Sequence, residues 1–558
     1  MTADKLRLVL CWHMHQPDYR DVLNSSWRRP WTWLHGIKDY ADMAAHLETV
    51  PGARAVVNFS TILLEQISAY AESIRQWENT GSTIGDPLLD ALGGSRPYRS
   101  LVDADKLELT AACLHAHKMH MIKAFPAYSA LAVRAKLAIE QGQPLDETRF
   151  RDLLVWYHLA WTGESLRRGF PMLRGMLHKA EGFSEEDGRQ LLALIGAVLS
   201  QLIQRYRKLC ASGKIELSLT PHAHPILPLL LDLASARESR PDVTLPGCRY
   251  PGGEARCRWH LERALELHEK YFRIRPRGCW PSEGGVSEAV VPLLREYGFE
   301  WTATGTNVLR NSIGQAAEHA HFQKWHRTTA SGNIACFFRD DELSDRIGFQ
   351  YSQWGAEDAV NDFVARLERI RHDWKGEDVP VVSIIMDGEN AWEHFPFNGW
   401  FFLQHLYSRL ALHPGIELTT FSSLLDDGWD AGELPRLVAG SWVYGDFSVW
   451  IGDPEKNRAW ELLCAAKEAT DRVLDNGRDV DRDAVIEQLG VCEASDWFWW
   501  LGGGNAVKDS AAFDSLFRDQ LKVLYRLLGE TAPAALAEAV DTRASADPAE
   551  GAMRRANR

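Results

Sequence analysis

Two acidic segments of this chain could do chemistry together. The apolar run Val381-Val382-Ser383-Ile384-Ile385-Met386 ends abruptly in Asp387-Gly388-Glu389-Asn390, and well upstream Arg277-Gly278-Cys279-Trp280-Pro281-Ser282-Glu283 brings one glutamate beside a tryptophan. A buried strand that stops at carboxylates presents them to the face where loops meet. Glycosidic cleavage needs such a pair: one carboxyl protonates the departing oxygen while the other attacks the anomeric carbon or activates water. Glu283 and Asp387 are the candidate pair. A separation of roughly 5 to 5.5 Å would mean retention of configuration, and a wider gap inversion. The same groups could instead cap helices or pair with arginines.

Histidines and aromatics accompany the acids. His13 and His15 end the first apolar run, and alternate strand residues face the same way. His222 and His224 repeat that spacing after Glu216–Thr220. Converging imidazoles can hold zinc, donate to hydroxyls, or sit satisfied in a core. His115, His117 and His120 fall in a helical stretch and read as a surface feature. The loop from Gly440 to Gly452 interleaves Trp442, Tyr444, Asp446, Phe447 and Trp450 with glycines, and Asp496-Trp497 follows. Such residues suit stacking on sugar rings and accepting hydroxyl protons, or an aromatic clasp between two parts of the fold.

The elements that would position these groups are short β-rich runs separated by amphipathic segments, the pattern of a buried parallel sheet. The spacing predicts strands near 5–13, 53–60, 215–220, 277–283, 299–304, 335–340 and 379–387, with a further one near 416–421. Polar groups collect after each run, including Asn58, Ser60, Thr304, Thr306, Arg339 and Asp340. In a parallel barrel those ends share one face. The expected fold is therefore α/β, a barrel of seven or eight strands spanning 1–425, with 61–210 a mostly helical insertion. A helical region over 426–530 should complete the cleft. Beyond Thr531 the sequence loses apolar periodicity, which predicts a disordered tail over 531–558.

Composition narrows the function. With 45% hydrophobic residues in 558, the chain can bury a large core. Its 62 basic and 76 acidic residues give a net charge of −14, which disfavours nucleic acid as a partner. There is no cationic leader before an apolar core and no run of membrane-spanning length, so a cytoplasmic location away from membranes is expected. Nine scattered cysteines fit buried thiols. Oligomeric state is not legible.

In order and spacing, His13-Met14-His15-Gln16-Pro17, Glu216 through Pro228, Trp280-Pro281-Ser282-Glu283, Asp387-Gly388-Glu389-Asn390 and the Gly440–Gly452 loop resemble the motif series of glycoside hydrolase family 57. The resemblance runs from the first strand to about Trp500. It implies a distorted (β/α)7 barrel followed by helices, retaining chemistry on α-glucans, no cofactor and no catalytic metal. Glu283 falls at the nucleophile position and Asp387 at the acid/base. Ionised Glu283 would attack while Asp387, its pKa raised by the adjacent anion, holds the proton. His13, His15, His224 and Trp280 match positions that contact the sugar, and Trp442, Asp446, Trp450, Asp496 and Trp497 are further binding candidates. Glu389 and His394, close to the acid, are expected to support it. The His-Gln-Pro start is similar to the amylase and amylopullulanase group. His222-Ala223 stands where aromatics are expected before His224, which leaves the neighbouring subsite open. The alternatives are a 4-α-glucanotransferase, a zinc-dependent α-mannosidase or deacetylase on a similar barrel, and a noncatalytic glucan-binding protein. The zinc enzyme would need an acidic ligand beside the first histidines, where this chain has Gln16-Pro17.

Overall fold

The computed structural model describes residues 5–314, 319–376, 378–428, 431–503, 507–541 and 555. Seven parallel strands close on themselves: β1 (Leu6–Met14), β2 (Ala55–Ser60), β3 (Ile215–Thr220), β4 (Gly278–Cys279), β5 (Trp301–Gly305), β6 (Gly332–Arg339) and β7 (Val381–Asp387). Each pairs with the next, β7 pairs with β1 over Arg7–His13, and β6 meets β7 at Arg339 opposite Ser383. The expected (β/α)7 barrel is therefore present. It is distorted at its start, where Leu6–Val9 of β1 pairs with an eighth strand, β8 (Ile416–Thr419), and only Cys11–Met14 pairs with β2.

Alternation along β1 sorts the side chains. Val9 and Cys11 join Val56, Trp301, Ala303, Ala335, Phe337, Val381 and Ile385 in one cluster, while Leu8, Leu10, Trp12 and Met14 belong to a larger one. The first set is a barrel lumen in which side chains from successive strands meet in layers. The second packs against the surrounding helices. β4 is shorter than the predicted 277–283, because Pro281 has no N–H to give a ladder and Glu283 leaves the extended region at φ 56°.

Between β2 and β3 the chain runs through eight α-helices, from Thr61–Thr80 to Glu185–Ala211. The last begins with a capping box between Ser184 and Asp187 and buries Leu191, Leu192, Ile195, Leu199, Leu202, Tyr206 and Leu209 on one face. After the barrel come helices Pro454–Asp475, Arg482–Cys492, Asp496–Trp500 and Val507–Leu527. Trp460 stacks on Phe498 at 4.4 Å in their shared core. Beyond Thr531 the backbone stays packed as far as Asp541, contrary to the expected disorder of that stretch. Leu536 and Val540 are buried, and Asp514 accepts from the Val540 amide. Two apolar side chains suffice to dock a short segment even without periodicity. The rest of the predicted tail, 542–554 and 556–558, lies outside the described residues. Among the described residues no helix is long and apolar enough to cross a membrane.

Candidate active site

Strand register builds the floor of the site. His13 lies opposite Asp387 on β7 and Asn58 on β2, one layer above Cys11, with its ring on the lumen side. Its Nδ1 is 2.7 Å from Asn58 Oδ1. The Asn58 amide donates to Ser218 Oγ, and Thr220 Oγ1 donates to Asn58 Oδ1, so that oxygen accepts and His13 Nδ1 carries the proton. His13 Nε2 then offers a lone pair to His224 Nε2, 3.1 Å away. His224 Nδ1 is left to accept from Ser495 Oγ at 2.8 Å. Burial suits this neutral chain, holding His13 down at about 3 and His224 well below the usual histidine range. His15 bonds Ser60 Oγ through Nδ1 and Asp496 through Nε2 at 3.0 Å.

His15, His224 and Asp496 each offer a donor atom, all within 4.8 Å of one another. The His15 and His224 rings, however, stack at 3.9 Å with planes 17° apart. A zinc ion lies in the plane of each ligating imidazole, and stacked planes do not meet at a common point within bonding distance. The arrangement suits hydroxyl groups reaching a row of neutral rings.

The two carboxyls stand over this floor. Glu283 sits on a 3-10 turn, Ser282–Gly284, with φ in the left-handed region, as do Ala223, His224 and Tyr444 around it. Such strain persists only where surrounding structure imposes it. Here Trp442 imposes it: its amide donates to the Glu283 carbonyl at 3.1 Å and its Nε1 to Glu283 Oε2 at 2.8 Å. The Trp442 backbone reaches the barrel mouth because β5 ends in Gly305, whose absent Cβ would lie 2.7 Å from Trp442 Cα. Asp387 accepts from Asn390 Nδ2 at 2.9 Å, and the next amide, Gly388, donates to the His13 carbonyl. Glu389 is buried behind it, accepting weakly from the His15 amide and Gln16, while its Oε2 has no hydrogen-bond partner among the described residues.

Asp387 is raised as expected, and Glu283 is raised with it. Burial, then the neighbouring Asp387, pushes Glu283 up to about 8 despite the Trp442 bond. Burial also raises Asp387, opposed by the Asn390 bond and by His15 and Arg339. At neutral pH Glu283 is held largely protonated. Glu389 is raised well above its ordinary value, by burial first and by Asp387 second. Like charges crowded in a dry site cannot all ionise.

These groups line one cavity of about 290 Å³. His13, His15, Glu283, Asp387, Glu389, Trp442 and Asp496 face it, and His224 closes its floor through the ring contacts above. Apart from His224 beneath its floor, five expected binding residues do not line it. Trp280 is fully buried, edge-on behind Trp442 at 5.2 Å. Trp450 and Trp497 are core: the first packs near Trp499, and the second gives its N–H to the Val491 carbonyl. Asp446 holds its own loop by accepting from Ser448, and His394 packs against His117. Period and composition cannot separate a tryptophan that faces a cleft from one that fills a core. Tyr19, Trp31, Trp161, Trp499, Trp500 and Arg339 supply lining that went unassigned. Trp499 and Trp500 had a signal, as part of the aromatic run after Asp496, and Arg339 another, as a charge at a strand end. Its guanidinium lies 5.3 Å from the Trp442 ring, tied to Asp341, Asp345 and the Ile385 carbonyl.

One buried ion pair ties the C-terminal helices to this floor. Glu493 accepts from Arg256 through both oxygens at 2.8 and 2.7 Å, from His260 at 2.7 Å and from Tyr250. His260 in turn holds the His222 carbonyl, and two residues beyond Glu493 the Ser495 amide donates to the His224 carbonyl. Arg256 and His260 draw Glu493 down from 4.5 to about 2 although burial opposes them. The stabilisation is complete above pH 4.5 and lost as pH falls toward 2. Replacing Arg256 with alanine strands a buried carboxylate, so the variant is expected to lose about 3–5 kcal/mol in denaturant unfolding at neutral pH. An unchanged midpoint would refute this role.

The chain matches the family described as glycosyl hydrolase family 57 over residues 9–433. No curated protein sequence matches it. Among solved structures it is similar to a branching enzyme of that family from Thermococcus kodakaraensis, at 16% identity and TM-score 0.56, over 94% of this chain and 90% of that one. A branching enzyme of the same type from Pyrococcus horikoshii aligns at 15% and 0.55, over 98% of both. An α-amylase from Thermotoga maritima aligns at 14% and 0.54, over 94% and 93%. At these identities the likeness is one of fold.

Proposed function

The chain belongs to glycosyl hydrolase family 57, and we propose that it cleaves α-glucans with retention, Glu283 acting as nucleophile and Asp387 as acid/base. The observation that carries this reading is the coupling of those two carboxyls across one aromatic-walled pocket. Positive charge developing at the anomeric carbon favours ionised Glu283, so the shared proton passes to Asp387 as the sugar is bound. Glu283 then bonds to the anomeric carbon while Asp387 protonates the departing glycosidic oxygen. In the second half Asp387 removes a proton from water, which displaces Glu283 and restores the starting pair. An acceptor sugar hydroxyl in place of that water gives transfer. The neutral His13 and His224, the buried Glu389 and the His15–Asp496 pair exchange hydrogen bonds with the hydroxyls of the sugar under attack. The 426–530 region completes the cleft with Trp442, Asp496, Trp499 and Trp500.

Amylase or amylopullulanase activity is the reading favoured by the His13–Pro17 motif, and 4-α-glucanotransferase activity is the alternative. Incubation with maltoheptaose and with pullulan separates them: shorter products alone mean hydrolysis, and longer ones mean transfer. No change in either substrate would sink the α-glucan reading.

The pair is competent while it holds one proton, so the alkaline limb of kcat/KM is expected near pH 8, the value to which Glu283 is raised. The Trp442 hydrogen bond favours the carboxylate and lowers that value. Trp442→Phe should therefore move the limb about one pH unit higher, the equivalent of one hydrogen bond to a charged group. A limb that stays put or moves lower would detach Trp442 from the titration.

A further inference from the structure

We propose that a second cavity, between the helical insertion and the loop after β7, binds the glucan chain where it runs out of the catalytic pocket, an inference that rests on the α-glucan reading above. The cavity has a volume of about 470 Å³ and is walled by Met119, Phe125, Arg168, Arg174 and Phe397, among others. It adjoins the catalytic pocket. Glu393 lines both, and Ala160 faces one while its neighbour Trp161 faces the other. Lys38 spans the same wall, its Nζ 5.1 Å from the Trp161 ring and donating to Asn398 Oδ1 at 3.0 Å. A pocket of about 290 Å³ holds a short stretch of sugar, so a longer chain must leave it along one of its walls.

The chemistry of the second cavity suits a neutral polyol with apolar ring faces. Phe397 is 56% exposed and stands edge-on to Phe401, which is 37% exposed, at 5.3 Å; Met119 is 56% exposed. Large apolar side chains left open beside a cavity provide faces for pyranose C–H groups. Phe397 and Asn398 both adopt φ of 54°, and two consecutive non-glycine residues in that region need outside support. Lys38 supplies it through Asn398, whose amide also reaches Asp42. The guanidinium of Arg168 lies 5.3 Å from the Phe401 ring, giving donors next to a face. An anionic ligand fits less well, because Glu164 already pairs with Arg167 and Arg168, Lys38 pairs with Asp39, and Arg174 donates to the Arg168 carbonyl. What remains are hydrogen-bond donors, the Glu393 carboxylate as acceptor, and ring faces.

Phe397 is not among the residues lining the catalytic pocket, so Phe397→Ala should leave kcat unchanged while raising KM for maltoheptaose and longer glucans at least about fivefold, with the KM for maltotriose unaltered. Calorimetric titration of Glu283→Gln, with and without Phe397→Ala, separates the possible failures. If Glu283→Gln binds no maltooligosaccharide of any length, the α-glucan reading fails. If it binds maltoheptaose equally well with and without Phe397→Ala, the second site fails while that reading stands. Equal weakening for maltotriose and maltoheptaose would place Phe397 in the catalytic pocket's own support and overturn the inference. Arg174→Ala provides a second surface variant, expected to weaken only the long chain.

Discussion

Glu283→Gln is expected to lower turnover of maltoheptaose on the order of 10⁴-fold or more while the protein folds normally, because glutamine keeps the volume and the Trp442 contact but cannot bond to the anomeric carbon. The fold should even gain at high pH. Glu283 is raised from 4.5 to about 8 in the folded chain, so its ionisation opposes folding, and wild-type stability falls as pH rises through that window. The variant should lack that decline, which thermal unfolding at pH 5 and pH 9 would reveal. Glu283→Ala opens space for a small anion. Azide should restore cleavage with Asp387 still protonating the leaving oxygen, and the product should be a glycosyl azide of inverted configuration. Wild-type-like amylolysis by Glu283→Gln, or a retained azide product, would overturn the nucleophile assignment.

Asp387→Asn should cut glucan turnover by about 10² to 10⁴-fold, the usual contribution of a general acid. The loss should depend on the leaving group. Aryl α-glucosides with acidic phenols depart without a proton, so formation of the glycosyl-enzyme should be nearly spared for them, and the covalent species should accumulate because no base activates water. Mass spectrometry of the quenched variant should find the sugar on the peptide containing Glu283. Equal losses on glucan and on activated aryl substrate would mean that Asp387 does something other than transfer the proton.

Both effects depend on how two carboxyls share a proton, and that sharing could not be read from order along the chain. The expectation placed the raised value on Asp387 through the charge of its neighbour. The folded chain raises both, Asp387 chiefly by burial against the Asn390 hydrogen bond, and Glu283 by burial and then by Asp387, with a single indole N–H opposing. Which acid keeps the proton depends on partners that come from other strands and loops.

Residue order by itself determined the barrel and its working face. Strand signals are local, since a near-continuous apolar run such as Leu6–Met14 reads as a strand buried on both faces, and the polar residues that follow it then stand at the strand's carboxyl end. His13, His15, Glu283 and Asp387 were legible for that reason. Tertiary structure alone decided which aromatic groups face the cleft. Trp442, Trp450 and Trp497 have similar surroundings in sequence, yet one donates to Glu283 and the other two are sealed in the core by helices from far along the chain. Burial is a property of what packs on a residue, and for these three the covering atoms belong to distant segments.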